Sequence, residues 1–403
     1  MKKLELHWQI LIAMVLAIPA GLLLKENVGY VSWVGEVFLR ALKMLVIPLI
    51  ITSIISGIVN IGEGENLGRL GFKTILYYIA TSSLAILVGL GFVNVIKPGT
   101  NMDINIDQTL DTLDVQQKNL SETLIEIVPD NIFAALTNND LLSVIFFAIV
   151  MGIFITKISR SHRKTLTNLI NSFFELFMKI TLFVIKLAPI GIFGLIAQVV
   201  ADQEDFFGLL LNLGSFILTV LGAILFHSFV ILPLILFVFG RNNPLKHFQN
   251  MSTALLTAFS TASSAAVLPL TMDSVKNKSG VSDKITNFTL PIGTTVNMDG
   301  TAIYICSVVM FIAQGQGLNM GIKEQFIILL TGLLASIGTA AIPMASLVVI
   351  TIILDVFQLP FALVALVLPV DRILDMFRTA TNVWSDSCGA VVIAKSEGEK
   401  LNV

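Results

Sequence analysis

Asp371, Asp375, Arg378, Asn382 and Asp386 follow one another at intervals of 4, 3, 4 and 4 residues, through "LDMFRTATNVWSDS" and the residues just before it. On an α-helix this spacing puts all five on one face, with Ile373, Leu374, Phe377, Val383 and Trp384 on the opposite side. The run "FALVALVLPV" leads into the stripe and reads as the first half of a membrane helix. Each ionised group at mid-bilayer costs roughly 2.5–3.5 kcal/mol, a cost not borne for packing, and such charges belong to substrate or ion handling. An internal Asp375–Arg378 pair would pin the helix but leaves Asp371, Asn382 and Asp386 without a role.

A second polar island, "TTVNMDGTA" (294–302), interrupts another apolar span. Gly300 and the run of side-chain and backbone oxygens from Thr294 to Thr301 predict a partly unwound helix. Asn297 and Asp299 supply hard oxygen ligands. One carboxylate among amides, hydroxyls and carbonyls suits a monovalent cation better than a divalent one, which wants several carboxylates. A buried Asp merely bonded to its neighbours is the other reading. "YYIATSS" (77–83) sets Tyr78, Thr81 and Ser82 on adjacent turns, where hydroxyls bonding back along their own helix would account for them.

Two further breaks resemble each other. "AFSTASSAAVLP" (258–269) and "ASIGTAAIP" (335–343) each place small and hydroxyl residues in mid-segment and then a Pro. About two turns of apolar sequence flank each break, too little to cross a bilayer. Each predicts a re-entrant hairpin whose exposed backbone must line a protein cavity, and paired broken segments point to a carrier's binding site. Two small-residue packing faces are the alternative.

The elements that must carry these residues are membrane helices. Of the 403 residues 55% are hydrophobic and 13% charged, about half the charged share of a soluble domain. Residues 206–240 contain no Asp, Glu, Lys or Arg, and His227 is their only titratable group. Other predicted spans are 8–24, 41–61, 74–96, 141–156, 176–201, 285–313 and 356–394, with 326–354 dipping in and returning. With a cytoplasmic N-terminus and eight crossings, 15 of the 25 Lys and Arg fall in inside loops and four (Lys25, Lys97, Lys118, Lys323) outside, as the positive-inside rule requires. Glu5 and His7 favour a retained first helix over a cleaved leader. Cys306 and Cys388 fall inside spans, so no disulfide framework is implied, and nothing indicates nucleic-acid binding.

Together, "NMDGTA", "STASSAAVLP", "SIGTAAIP" and "LDMFRTATNVWSDS", with "LKMLVIPLI" (42–50) and "YYIATSS", resemble the signature elements of the dicarboxylate/amino acid:cation symporters, the glutamate and aspartate transporters of prokaryotes and of neurons and glia. The resemblance covers essentially the whole chain. It implies an all-α polytopic membrane protein of eight transmembrane helices plus two re-entrant hairpins, arranged as inverted repeats. It also implies a homotrimer in the cell (inner) membrane with both termini cytoplasmic. Residues 1–70 and 99–205 would form a trimerisation scaffold. Residues 71–98 and 206–403 would form a transport domain moving as an elevator.

The resemblance further implies that Arg378 holds the side-chain carboxylate of an acidic amino acid and Asp375 its ammonium. Thr379 and Asn382 would complete the pocket, and Ala262, Ser263 and Ser264 would meet the α-carboxylate. Thr301 would contact the distal end, and Ile342 and Ser346 would close over it. It implies three Na⁺ sites: Asp386 with Gly293, Asn297 and Asn382; Thr295, Met298, Ser336, Ile337 and Thr339; and Tyr78, Thr81, Ser82, Asn297 and Asp299. No cofactor and no enzymatic activity are implied.

There are departures from the pattern. The basic residue that many relatives place near the ammonium site is missing, because Ala262 and Met376 stand at its two positions. Ile305 stands where mammalian members carry a proton-coupling Glu, whereas the carboxylate at Asp386 is kept, which favours sodium coupling. The rival readings are a C4-dicarboxylate or neutral amino acid symporter on the same fold and, from another class, an anion channel.

Overall fold

The computed structural model describes residues 6–61, 67–100, 125, 128–138, 141–202, 206–338, 345–357, 359 and 361–403. Among them there is no strand. The helices are α1 (Leu6–Leu24), α2 (Gly29–Ile61), α3 (Leu67–Ile96), α4 (Ile132–Thr137), α5 (Leu141–Ile155), α6 (Arg160–Lys186), α7 (Ala188–Asp202) and α8 (Phe206–Phe226). They continue as α9 (Leu232–Val238), α10 (Pro244–Thr261), α11 (Ser264–Asp273), α12 (Asp283–Val296), α13 (Asp299–Gly315), α14 (Ile322–Gly338), α15 (Ala345–Val356) and α16 (Leu368–Ser396).

Local chemistry sets several starts. Asn243 caps α10, its side chain accepting the Leu245 and Lys246 N–H groups, while Pro244 takes the first helical position, where no N–H is needed. Ser282 caps α12 and Asn131 caps α4 in the same way. Pro189 sits in the first turn of α7 and ends α6, leaving a bend of 56° between the two.

Three described rods are long and apolar enough to cross a membrane: Arg69–Ile96, Leu211–Val238 and Asp283–Gly315. The bent α6–α7 pair makes a fourth when taken as one span. The most hydrophobic window of the third rod is 89% buried by the protein itself, so this segment lies among other helices and away from lipid. Two expected spans differ in extent: α2 starts at Gly29 instead of 41, and α6 at Arg160 instead of 176. The amphipathic ends of these helices fall outside the apolar windows that define a span.

The last helix is also corrected. Residues 361–366, expected as its first half, form a 3₁₀ turn, and α16 starts at Leu368. Pro369 lies in the first turn of α16, where its missing N–H costs no helical bond.

Packing follows two groups. α1 lies against α7, and α2 against α5, α6 and α7. At the α2–α7 crossing, a Cβ on Gly194 would meet the Val31 carbonyl at 2.7 Å and the Gly35 nitrogen at 2.9 Å, so the backbones touch directly. In the second group α3 packs on α8 and α13, while α16 packs on α10, α12 and α13. α14 and α15 bridge to α2, and α14 also reaches α5.

At one end of the second group the C-terminal turn is laced down. Arg69 Nε lies 3.1 Å from Glu397 Oε1, Lys73 also pairs with that carboxylate, and Lys73 Nζ reaches the Ser396 carbonyl at 3.0 Å. The Lys73 hydrogen bond, and the charges of Lys73 and Arg69, hold the Glu397 carboxyl below its ordinary value of 4.5.

Candidate functional site

The site is built where α12 stops. The Asn297 N–H makes a last helical bond to Gly293 at 2.8 Å, Asn297 and Met298 leave the helix, and α13 starts at Asp299. The interruption expected from "NMDG" is therefore present. It brings a buried carboxylate to a helix N-terminus, where the peptide dipoles favour negative charge.

Asp299 is completely buried and accepts three side-chain bonds. Ser82 donates to Oδ1 at 2.8 Å, Ser385 to Oδ2 at 2.6 Å, and His227 Nε2 lies 3.1 Å from Oδ2. Asn297 is wired next to it: Oδ1 accepts from Thr81 at 3.1 Å, and Nδ2 donates to Ser385 Oγ and to Asp386 Oδ1, both at 2.9 Å. Tyr78 donates to the Thr289 carbonyl at 2.8 Å. Gly293 is required by closeness, since a Cβ there would lie 2.5 Å from Asp386 Oδ1 and 2.6 Å from the Tyr78 hydroxyl.

Two sodium sets named from the sequence are thus brought together into one connected cluster. Tyr78, Thr81, Ser82, Asn297 and Asp299 meet, and Asp386 joins through Asn297 beside Gly293. A hydroxyl that donates to a carboxylate keeps lone pairs for a cation, and amide and hydroxyl oxygens around two carboxylates fit an alkali ion. No group of three or more His, Cys, Asp and Glu suited to hold a metal ion occurs among the described residues.

The third set is not assembled in the same way. Thr295 donates to its own helix at the Ile292 carbonyl, 2.9 Å away, and the Met298 carbonyl accepts from Ala302 at 2.8 Å. Ser336 and Ile337 lie on the last turn of α14. Thr339, like Ile342 of the substrate set, lies outside the described residues.

About two turns before Asp386 on α16, Arg378 forms a second cluster. Its guanidinium is 2% exposed, donates to Asp375 Oδ1 at 2.8 Å, and lies 3.0 Å from Asp371 Oδ1, a charge contact without hydrogen-bond alignment. Nη1 donates to Ser346 Oγ at 3.3 Å, and the guanidinium carbon sits 4.1 Å from the centre of the Tyr304 ring, a cation–π distance. The Nε–H has no partner among the described residues. Arg372 Nη1 stands 3.7 Å from Asp375 Oδ2, so a base flanks Asp375 although Ala262 and Met376 are neutral.

Asn382 joins the two clusters. Its Oδ1 accepts the Gly300 N–H at 2.8 Å and its Nδ2 donates to Thr301 Oγ1 at 3.3 Å. Thr379 is buried one residue beyond Arg378. α10 and α11 pack together as a helix–break–helix pair. At its tip Ala262 is left-handed (φ 48°, ψ 42°), and Ser263 is extended and caps α11 by accepting from Ala266. The leading N–H groups of α11, from Ser264 on, have no partner within that helix. Behind the tip, Phe259 packs edge-on against Phe377 at 4.9 Å, beside Arg378.

Four contributors escaped the sequence reading: His227, Ser385, Tyr304 and the Phe259–Phe377 contact. His227 stood out as the one titratable group in a charge-free run, and Ser385 is adjacent to Asp386. Nothing local marks the other two.

Interrupted helices that converge buried carboxylates and a buried guanidinium inside an apolar helical bundle define a membrane carrier. The family model described as "Sodium:dicarboxylate symporter family" matches residues 6–396, and the chain belongs to that family. Among its relatives, the proton/sodium-glutamate symport protein of Geobacillus stearothermophilus is 35% identical, over 99% of this chain and 96% of the relative. The proton/glutamate-aspartate symporter of Escherichia coli is 34% identical over 98% and 93%. Excitatory amino acid transporter 3 of Oryctolagus cuniculus is 32% identical over 99% and 87%.

Proposed function

We propose that this chain is a secondary active symporter that imports acidic amino acids, L-aspartate and L-glutamate, coupled to Na⁺. The observation that carries this reading is the placement of Arg378, Asn382 and Asp386 along one helix. The guanidinium sits among Asp371, Asp375, Ser346 and Tyr304, and Asp386 sits in the oxygen-rich cluster of Asn297, Ser385 and Asp299. The relatives are named for glutamate and aspartate, and for protons as well as sodium. Here the retained Asp386 and the apolar Ile305 favour sodium.

Arg378 would exchange its partner Asp375 for the side-chain carboxylate of the substrate, a planar acceptor that suits a bidentate guanidinium. Asp375, so released, would take the substrate ammonium, a role that a C4-dicarboxylate would leave idle. The N–H groups at the start of α11 would receive the α-carboxylate.

Charge balance explains the coupling. Asp371 and Asp375 are matched by Arg372 and Arg378, which leaves Asp299 and Asp386 uncompensated. An acidic amino acid adds one more negative charge, and occupation of all three cation sites would neutralise the whole. A neutral block slides past apolar surface far more cheaply than a charged one.

The moving block would be α3 together with α8 through α16, and the fixed trimerisation scaffold α1, α2 and α4 to α7. The packing of α3 on α8 and α13, and of α2 on α5 to α7, supports this division. Eight crossings with two hairpins, inverted repeats, elevator movement, a homotrimer and cytoplasmic termini in the inner membrane complete the proposal. The purified chain in liposomes tests it. Uptake of radiolabelled L-aspartate is expected under an inward Na⁺ gradient and not under H⁺ or K⁺ gradients alone. Uptake indifferent to Na⁺ would contradict it.

A further inference from the structure

The charge-free stretch 206–240 holds one titratable side chain, His227, and it lies where the helix is distorted. α8 ends at Phe226, and His227–Ile231 form a π-turn in which the Leu232 N–H bonds the His227 carbonyl five residues back. Pro233 accounts for what this leaves over. The Ser228 carbonyl would look for the N–H of residue 232 in an α-turn or of residue 233 in a π-turn. The first is given to His227 and the second does not exist.

Helix α16 supplies the missing donor. Trp384 Nε1 donates to the Ser228 carbonyl at 3.0 Å, and Ser228 Oγ bonds Thr381 Oγ1 at 2.8 Å. The distortion is therefore fastened to the helix that carries Arg378 and Asp386. Its other product is the aim of His227. The imidazole is wholly buried, with Nε2 3.1 Å from Asp299 Oδ2. A carboxylate only accepts, so Nε2 carries the hydrogen. Nδ1 has no partner among the described residues and holds a lone pair, which costs less to bury than an orphan N–H.

We propose that His227 is a positioning residue for the cation site at Asp299. Its Nε2–H, with the Ser385 hydroxyl, fixes Oδ2 and so sets the carboxylate plane that Ser82 meets at Oδ1. The nitrogen facing the site is a donor, so His227 orients the site and does not ligate the cation. The assignment rests on the reading of Asp299 as a sodium ligand.

The test compares His227→Gln, which keeps an N–H donor, with His227→Leu, which removes it, in the purified full chain. Sodium is titrated at saturating L-aspartate. The Leu variant is expected to raise the half-saturating Na⁺ concentration about ten-fold, the size of one hydrogen bond to a charged group, and the Gln variant to stay within about three-fold of wild type. A Leu variant that folds and keeps the wild-type sodium requirement, or a Gln variant as impaired as Leu, would overturn the proposal, since a role in packing alone predicts no difference between them.

Wild-type protein supplies a readout that needs no variant. With ¹⁵N-labelled histidine, one imidazole N–H resonance among the four histidines should move on adding Na⁺ without substrate. No movement in any of the four overturns the assignment. Absence of sodium-dependent aspartate binding in the wild type would instead overturn the symporter reading, and this assignment with it.

Discussion

The Asn382 side chain holds the Gly300 N–H at 2.8 Å and thereby ties the helix bearing Arg378 to the broken segment bearing Asn297 and Asp299. Gly300 permits this because a Cβ there would lie 2.6 Å from the Arg378 carbonyl. The two polar clusters thus share one side chain, and coupling between them would run through it.

Removing the tie should uncouple them. Asn382→Ala leaves the Gly300 N–H and the Thr301 hydroxyl short of a partner, a loss of about 1–3 kcal/mol. The expected outcome is weaker aspartate binding together with a shallower dependence on Na⁺, read by binding isotherms at several Na⁺ concentrations. Weaker binding with unchanged sodium dependence would show that Asn382 touches substrate only.

Glycine 300 is a steric requirement. Gly300→Ala forces the α13 start away from α16 and should destabilise the protein by about 1–3 kcal/mol, as overpacking does. A lowered thermal midpoint, partly recovered by saturating substrate and Na⁺ through linkage, is the expected measurement.

Asp386→Asn removes one of the two uncompensated carboxylates while keeping an oxygen. It should weaken aspartate binding and shift its sodium dependence, because the amide contributes no charge to the cation. Sodium dependence identical to wild type would count against Asp386 as part of a sodium site.

Specificity should follow Arg378. Replacing it with Thr removes the bidentate partner for a substrate carboxylate and leaves Asp371 and Asp375 without their guanidinium, so aspartate uptake is lost. Competition by serine or alanine then reports whether the remaining pocket accepts neutral amino acids.

The clasp of Arg69 and Lys73 on Glu397 gives a pH signature. Glu397 is held below 4.5 in the folded chain, so its contribution to stability is present above 4.5 and is lost as pH falls through the lower folded value. Glu397→Gln should lower the thermal midpoint at neutral pH, and the gap to wild type should close below about pH 4.5.

The polar stripe on α16 was legible because helical spacing and the cost of intramembrane charge both act on the sequence itself. The same holds for the breaks at Asn297 and at Ala262–Ser263, where local chemistry, a cap at Ser263 and polar residues in an apolar span, decides the geometry. Asp371 and Arg378, two turns apart on that face, form a pair that spacing alone could have indicated. The start of α16 was misread because hydropathy does not distinguish the 3₁₀ turn at 361–366 from the α-helix that follows it. His227 could be singled out but not assigned, since its direction depends on a π-turn completed by Trp384 from another helix. Tyr304 under Arg378 and Phe259 against Phe377 are contacts between distant segments, and no local pattern encodes them.

The central claim is that an acidic amino acid and Na⁺ enter one charge-compensated assembly. Equilibrium binding of L-aspartate to the purified chain, measured across a range of Na⁺ concentrations, tests it most directly. The account predicts an affinity that rises more steeply than the first power of Na⁺ concentration; an affinity that does not change with Na⁺ would contradict it.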